Sequence, residues 1–142
     1  MAKNHKLNIA IALCVLLLGV YLVVPVAASM KASDIIMSHS CKATAKGNGK
    51  IAVTFSITAK YPVSQIGAKS MYFFANDNGN WTFEESFDKE DADMVRNNKG
   101  IHGGTIYYQG TSGVRYKVVV TLFAEDSDGT SDARTYTMYV TA

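Results

Sequence analysis

Lys50-Ile51-Ala52-Val53-Thr54-Phe55-Ser56-Ile57-Thr58-Ala59-Lys60 decides the fold. Ile51, Val53, Phe55, Ile57 and Ala59 fall on one side of an extended chain, and Ala52, Thr54, Ser56 and Thr58 on the other. Alternation held over nine residues is the pattern of a half-buried strand, and the β-branched Ile, Val and Thr suit a pleated surface. The stretch starts after Gly47-Asn48-Gly49, a tract able to supply the positive φ angles of a tight turn.

The same pattern recurs downstream. Arg115 to Glu125 sets Tyr116, Val118, Val120, Leu122 and Ala124 against Val119, Thr121 and Phe123. After the turn-rich Glu125 to Asp132 segment, Tyr136, Met138 and Val140 oppose Thr135, Thr137, Tyr139 and Thr141, which predicts a hairpin to a last strand. Ile35–Ala45, Lys69–Ala75, Trp81–Phe87 and Gly104–Gln109 read as weaker strands, with Trp81, Phe83 and Phe87 expected on one side. Asn78-Gly79 and Gly110-Thr111-Ser112-Gly113 punctuate them. The polar residues 88–98 are expected to form a helical turn or a solvated crossover. The expectation is an all-β domain, a single Greek-key β-sandwich of about seven strands in the immunoglobulin or fibronectin type III style, with a partly closed barrel as runner-up.

Ahead of the strands, residues 1–28 read as an export signal. Lys3 and Lys6 precede an uncharged apolar run from Ile9 to Val26, and Pro25-Val26-Ala27-Ala28 offers small residues for cleavage. The competing reading is a retained anchor, since 18 residues of helix would reach about 27 Å, close to the thickness of a lipid core. Either reading places residues 29–142 outside the cell membrane, secreted or on its outer face. In that span 9 Lys and 3 Arg balance 8 Asp and 4 Glu, so the formal +2 of the whole chain comes from Lys3 and Lys6. A neutral domain lacks the cationic surplus that holds nucleic acid or anionic lipid.

From Ala32 onward the chain resembles a family of small secreted proteins of clostridial, Gram-positive bacteria that carry a domain of unknown function. The resemblance rests on Ala32-Ser33-Asp34-Ile35-Ile36, Gly47-Asn48-Gly49-Lys50-Ile51, Ile66-Gly67-Ala68, Trp81-Thr82, His102-Gly103-Gly104, Tyr108-Gln109-Gly110-Thr111-Ser112-Gly113 and Tyr116. It implies export and a β architecture, and it supplies no catalytic residue, cofactor or partner.

The search for chemistry yields little. His102 is the one candidate base, but Ser112 and Ser127 sit on no nucleophile elbow, and no catalytic set is assigned. Cys41 with His39 and His102 matches no recurrent zinc spacing. Asp126, Asp128 and Asp132 form a weak calcium candidate, lacking the full ligand series of a calcium loop. No cofactor motif is present. Cys41 stands without a second cysteine after residue 28, so it reads as a packed thiol or as the link of a dimer.

The aromatic residues are the stronger lead. Aromatics cluster as Tyr72-Phe73-Phe74, Trp81-Thr82-Phe83 and Tyr107-Tyr108, and adjacent ones take opposite faces, so Tyr72 and Phe74 cannot share the face of Phe73 and Tyr107 opposes Tyr108. The rings not in the core are either covered, beneath the 88–98 segment or a loop, or used in recognition; Tyr72, Phe74, Trp81, Tyr107 and Phe123 are the candidate binding surface for an extracellular protein or glycan. The alternatives are a small secreted hydrolase or toxin-like effector built on His102 and the acidic loops, and a structural envelope protein anchored by residues 9–26.

Overall fold

Residues 35–142 are described by a computed structural model, in which they form six antiparallel strands. The expected export segment, residues 1–28, lies outside the described residues. The strands are β1 (Ile36–Gly47), β2 (Lys50–Asp77), β3 (Asn80–Asp88), β4 (Val95–Gln109), β5 (Arg115–Glu125) and β6 (Ser131–Thr141). The quoted stretch is the first half of β2, and its apolar row is buried throughout, from Ile51 at 0% exposure to Ala59 at 5%. Thr54 and Ser56 are exposed on the other face. Ala52 is buried although it belongs to the outer row, where Thr44 and Tyr107 flank it. In β5 the row Tyr116, Val118, Val120, Leu122 and Ala124 is buried in the same way.

The strand count departs from the expected seven, because Lys50–Lys60 and Lys69–Ala75 belong to one strand of 28 residues. Tyr61-Pro62 disturbs this strand without ending it. Proline has no N–H to give a ladder, and the β2–β4 register shifts between Thr58 and Val63, then resumes with Val63 opposite Lys99 and Gly67 opposite Val95. The first half of β2 pairs with β1 on one edge and β4 on the other. Its second half pairs with β3 and β5, and β6 extends the sheet beyond β5. Two tight turns drive the hairpins around β2: Asn48-Gly49 has φ of 53° and 80°, and Asn78-Gly79 has 51° and 93°. Positive φ at both central residues gives a turn whose twist matches that of the strands.

β3 and β4 follow one another along a single edge of β2, separated by residues 89–94. This segment was expected to extend to Asn98 as a crossover or helical turn. It is instead a short turn, with strand pairing restored at Val95. The turn is tied inward. Met94 is fully buried, its carbonyl accepts the Ala68 N–H at 2.8 Å, and the His102 ring bonds through Nε2 to the Asp93 carbonyl at 2.7 Å. At this junction Gly67 has φ of 151°, and a Cβ there would lie 2.1 Å from the Met94 oxygen.

Beyond the junction the sheet curls on itself. Tyr108, paired with Ile51 of the first half, stacks on Phe73 of the second half with ring centroids 4.3 Å apart. Tyr116 meets Tyr108 edge-on at 5.5 Å, and its hydroxyl accepts the Thr111 N–H at 2.8 Å, which fastens the β4–β5 connection. Both halves thus contribute to one hydrophobic core, with Ile51, Val53, Phe55 and Ile57 from one side and Met71, Phe73, Val118 and Val120 from the other.

Gly67→Ala and Gly79→Ala separate the two kinds of glycine. Gly79 also has positive φ, yet nothing lies within 4 Å of its added Cβ. Urea unfolding should show a cost of about 1–2 kcal/mol for Gly79→Ala, the left-handed penalty alone. Gly67→Ala should lose more than about 3 kcal/mol, because main chain must move as well. Equal costs at the two positions would contradict the close approach at Gly67.

Candidate functional site

Cross-strand register places Phe83, Phe74, Lys117 and Tyr139 opposite one another in a row over β3, β2, β5 and β6. The row lies on the outer face of the second half of the sheet. Phe74 and Phe83 meet edge to face at 5.9 Å. The Lys117 ammonium stands 4.5 Å from the Phe74 ring centre and 5.3 Å from that of Trp81. Trp81 reaches across to Tyr139 at 5.5 Å, and the Arg115 guanidinium covers the Tyr139 ring at 5.3 Å. Tyr72 stands two residues from Phe74 along β2, opposite Val119. Phe83 and Tyr139 keep 54% and 53% of their surface in solvent, and Tyr72 keeps 41%.

A bulge in β3 creates this strip. Phe73 pairs with Glu85 while Phe74 pairs with Phe83, so Glu84 is an extra residue on β3. One extra residue switches the faces of everything beyond it. Trp81 and Phe83 therefore point outward, whereas Phe87 turns in to meet Phe73 at 6.0 Å. The expectation that Trp81, Phe83 and Phe87 share a side is corrected by that bulge.

Of the five expected surface residues, Tyr72, Phe74 and Trp81 come together here. Tyr107 is exposed but belongs to the other half of the sheet, opposite Ala52, with the Lys50 ammonium 4.4 Å above its ring. Phe123 is buried, at 4% exposure, and so is not part of an exposed surface. It stands on β5 between Gly67 of β2 and Ala133 of β6, flanked by positions with little or no side chain. Sequence reasoning missed Phe83, Tyr139, Lys117 and Arg115. The alternation of β6 does place Tyr139 outward, but its meeting with Trp81 and Arg115 depends on long-range register.

The titratable groups are held by structural partners. His102 is buried against Phe55, ring centres 5.4 Å apart, with its Nε2 taken up by the Asp93 carbonyl. His39 and His102 both stand opposite Ile57, on flanking strands, so their backbones are about 10 Å apart. His39 shares a hydrogen bond with the Tyr136 hydroxyl. The zinc set of Cys41, His39 and His102 is thus not assembled, and among the described residues no three metal-type side chains converge.

In the β5–β6 connection each carboxylate has its own protein partner. Asp126 accepts the Tyr61 hydroxyl at 2.9 Å, which raises the pKa of that phenol. Asp128 accepts the Thr130 N–H at 2.9 Å, a bond that lowers its own pKa. Asp132 pairs with Arg134 and accepts the Ile36 N–H at 3.3 Å. A cleft of about 220 Å³ nearby is lined by Pro62, Val63, Ser64, Asn98, Asp126 and Ser127, with neither His102 nor the aromatic strip in its wall.

Cys41 is half-buried on β1, packed against the core, and burial pushes its thiol up to about 11. The thiolate is the reactive form. Alkylation by iodoacetamide at pH 8, followed at the Cys41 peptide, should therefore run roughly a hundredfold slower in folded protein than in urea. Equal rates in the two states would contradict the burial of the thiol.

Compared with protein-family models and with curated proteins, the sequence shows no match, so the resemblance drawn from its motifs rests on those motifs alone.

Proposed function

We propose that the chain is a non-catalytic extracellular module that binds a protein or glycan through the outer face of β3, β2, β5 and β6. One observation carries this reading: Phe74, Trp81, Phe83 and Tyr139, interleaved with Lys117 and Arg115, form a continuous strip on a sheet face. Phe83 and Tyr139 are exposed and Phe74 and Trp81 half-buried, and ring surface left in water forgoes the stabilisation that burial gives, of order 25 cal/mol per Å² of apolar surface. Contiguous exposure of this kind marks interaction surfaces. The arrangement of His102 supports the absence of catalysis, since its Nε2 is bonded to a main-chain carbonyl and its ring is packed on Phe55. The reading takes the curled sheet as a Greek-key sandwich of the immunoglobulin or fibronectin type III kind, exported by residues 1–28. In such a scaffold the core is closed and faces and loops do the binding.

Screening the exported protein against a glycan array and a panel of immobilised extracellular proteins tests the proposal. A retained ligand should bind at least tenfold more weakly to Phe74→Ala and Trp81→Ala, a loss of about 1.4 kcal/mol, while their urea midpoints show both variants folded. Binding that ignores both substitutions would overturn the assignment of the face.

A further inference from the structure

We infer that the strip takes an acidic polysaccharide, its rings stacking on sugar faces and Lys117 and Arg115 meeting the carboxylates. This rests on the proposed binding role of that face and adds the class of ligand.

Three observations point to it. First, the main-chain groups of β2 and β5 are already paired on both edges over this region. An added peptide strand would find no backbone partners at the centre of the face, where recognition falls to side chains; only the outer edges of β3 and β6, at its two ends, pair with no further strand. Second, Lys117 and Arg115 contact rings and form no ion pair among the described residues. On β2, β5 and β6 the outer-face positions around them are Tyr72, Phe74, Asn76, Val119, Thr137, Tyr139 and Thr141, with no Asp or Glu. On β3 the bulge residue Glu84 and Glu85, opposite Phe73, are both exposed, and neither forms an ion pair with Lys117 or Arg115 among the described residues. Two uncompensated cations in a domain with balanced charge ask for an anionic partner.

The third observation is shape. The row from Phe83 to Tyr139 crosses three strand spacings of one sheet face, about 14 Å, a length that suits a short run of linked sugars. The cation–π contacts hold both cations at the level of the rings. The charges are thus in place before the ligand arrives, which lowers the ordering cost of binding.

Affinity electrophoresis of the exported protein in gels containing polygalacturonate or hyaluronate, against gels containing neutral amylose or dextran, tests the inference. The expected result is retardation in an acidic gel alone, weakened at least tenfold in K117Q/R115Q and in Phe83→Ala, and relieved by added salt. Lys50→Gln removes a cation that covers Tyr107 instead and should leave the retardation intact. Equal retardation in neutral gels, lost only with the rings, would overturn the acidic ligand and leave the binding face standing. No retardation in any gel, with a protein ligand whose binding needs Phe74, would have the same meaning. No retardation and no ring-dependent ligand would overturn both readings. Retardation that survives K117Q/R115Q and Phe83→Ala would place acidic-polymer binding elsewhere on the surface.

Discussion

The Met94 carbonyl accepts the Ala68 N–H in the space that a side chain at residue 67 would need. This approach joins the turn after β3 to the middle of β2, and two further contacts secure it: the Met94 side chain in the core and His102 holding the Asp93 carbonyl. β3 and β4 succeed one another along one edge of β2 across that junction, and register shifts on either side of it, between Thr58 and Val63 and between Ala68 and Ser70, accompany the curl that brings Tyr108 onto Phe73. A 28-residue strand left straight would be roughly 90 Å long and could not cover its own apolar row. Curled, its two halves bury each other.

The candidate surface depends on the same geometry. Once the inner rings Phe55, Phe73 and Tyr108 have closed the core, the alternate residues must face away from it, and the Glu84 bulge adds Trp81 and Phe83 to that outer set. β5 and β6 then bring Lys117, Arg115 and Tyr139 alongside. The cations lie over ring faces, an arrangement each worth about 0.5–1 kcal/mol at an exposed site, so the strip keeps its shape without being buried. Folding uses one face of this sheet, and the proposed binding would use the other.

Much of this was legible in the sequence. The buried rows of Lys50–Lys60 and Arg115–Glu125, the alternation of β6 and the Asn-Gly turns are local signals, and local signals suffice for strands and hairpins. Other features depended on partners far along the chain. Lys50–Lys60 and Lys69–Ala75 read as two strands, because nothing local tells that β4 and β5 continue the ladders between them. The bulge that turns Phe87 inward and the burial of Phe123 and Met94 are equally non-local. For the site, the excess of rings was visible and three of five were placed together. The cations and Tyr139 that complete the strip required the register of four strands.

Solution NMR tests the central claim, that β2 is one strand bent and clamped at Gly67, most directly. The account predicts nuclear Overhauser contacts between the Phe73 and Tyr108 rings and an Ala68 amide that exchanges with solvent as slowly as the amides at the centre of β5. Absence of those ring contacts, with an Ala68 amide exchanging as fast as those of the Asn78-Gly79 turn, would contradict it.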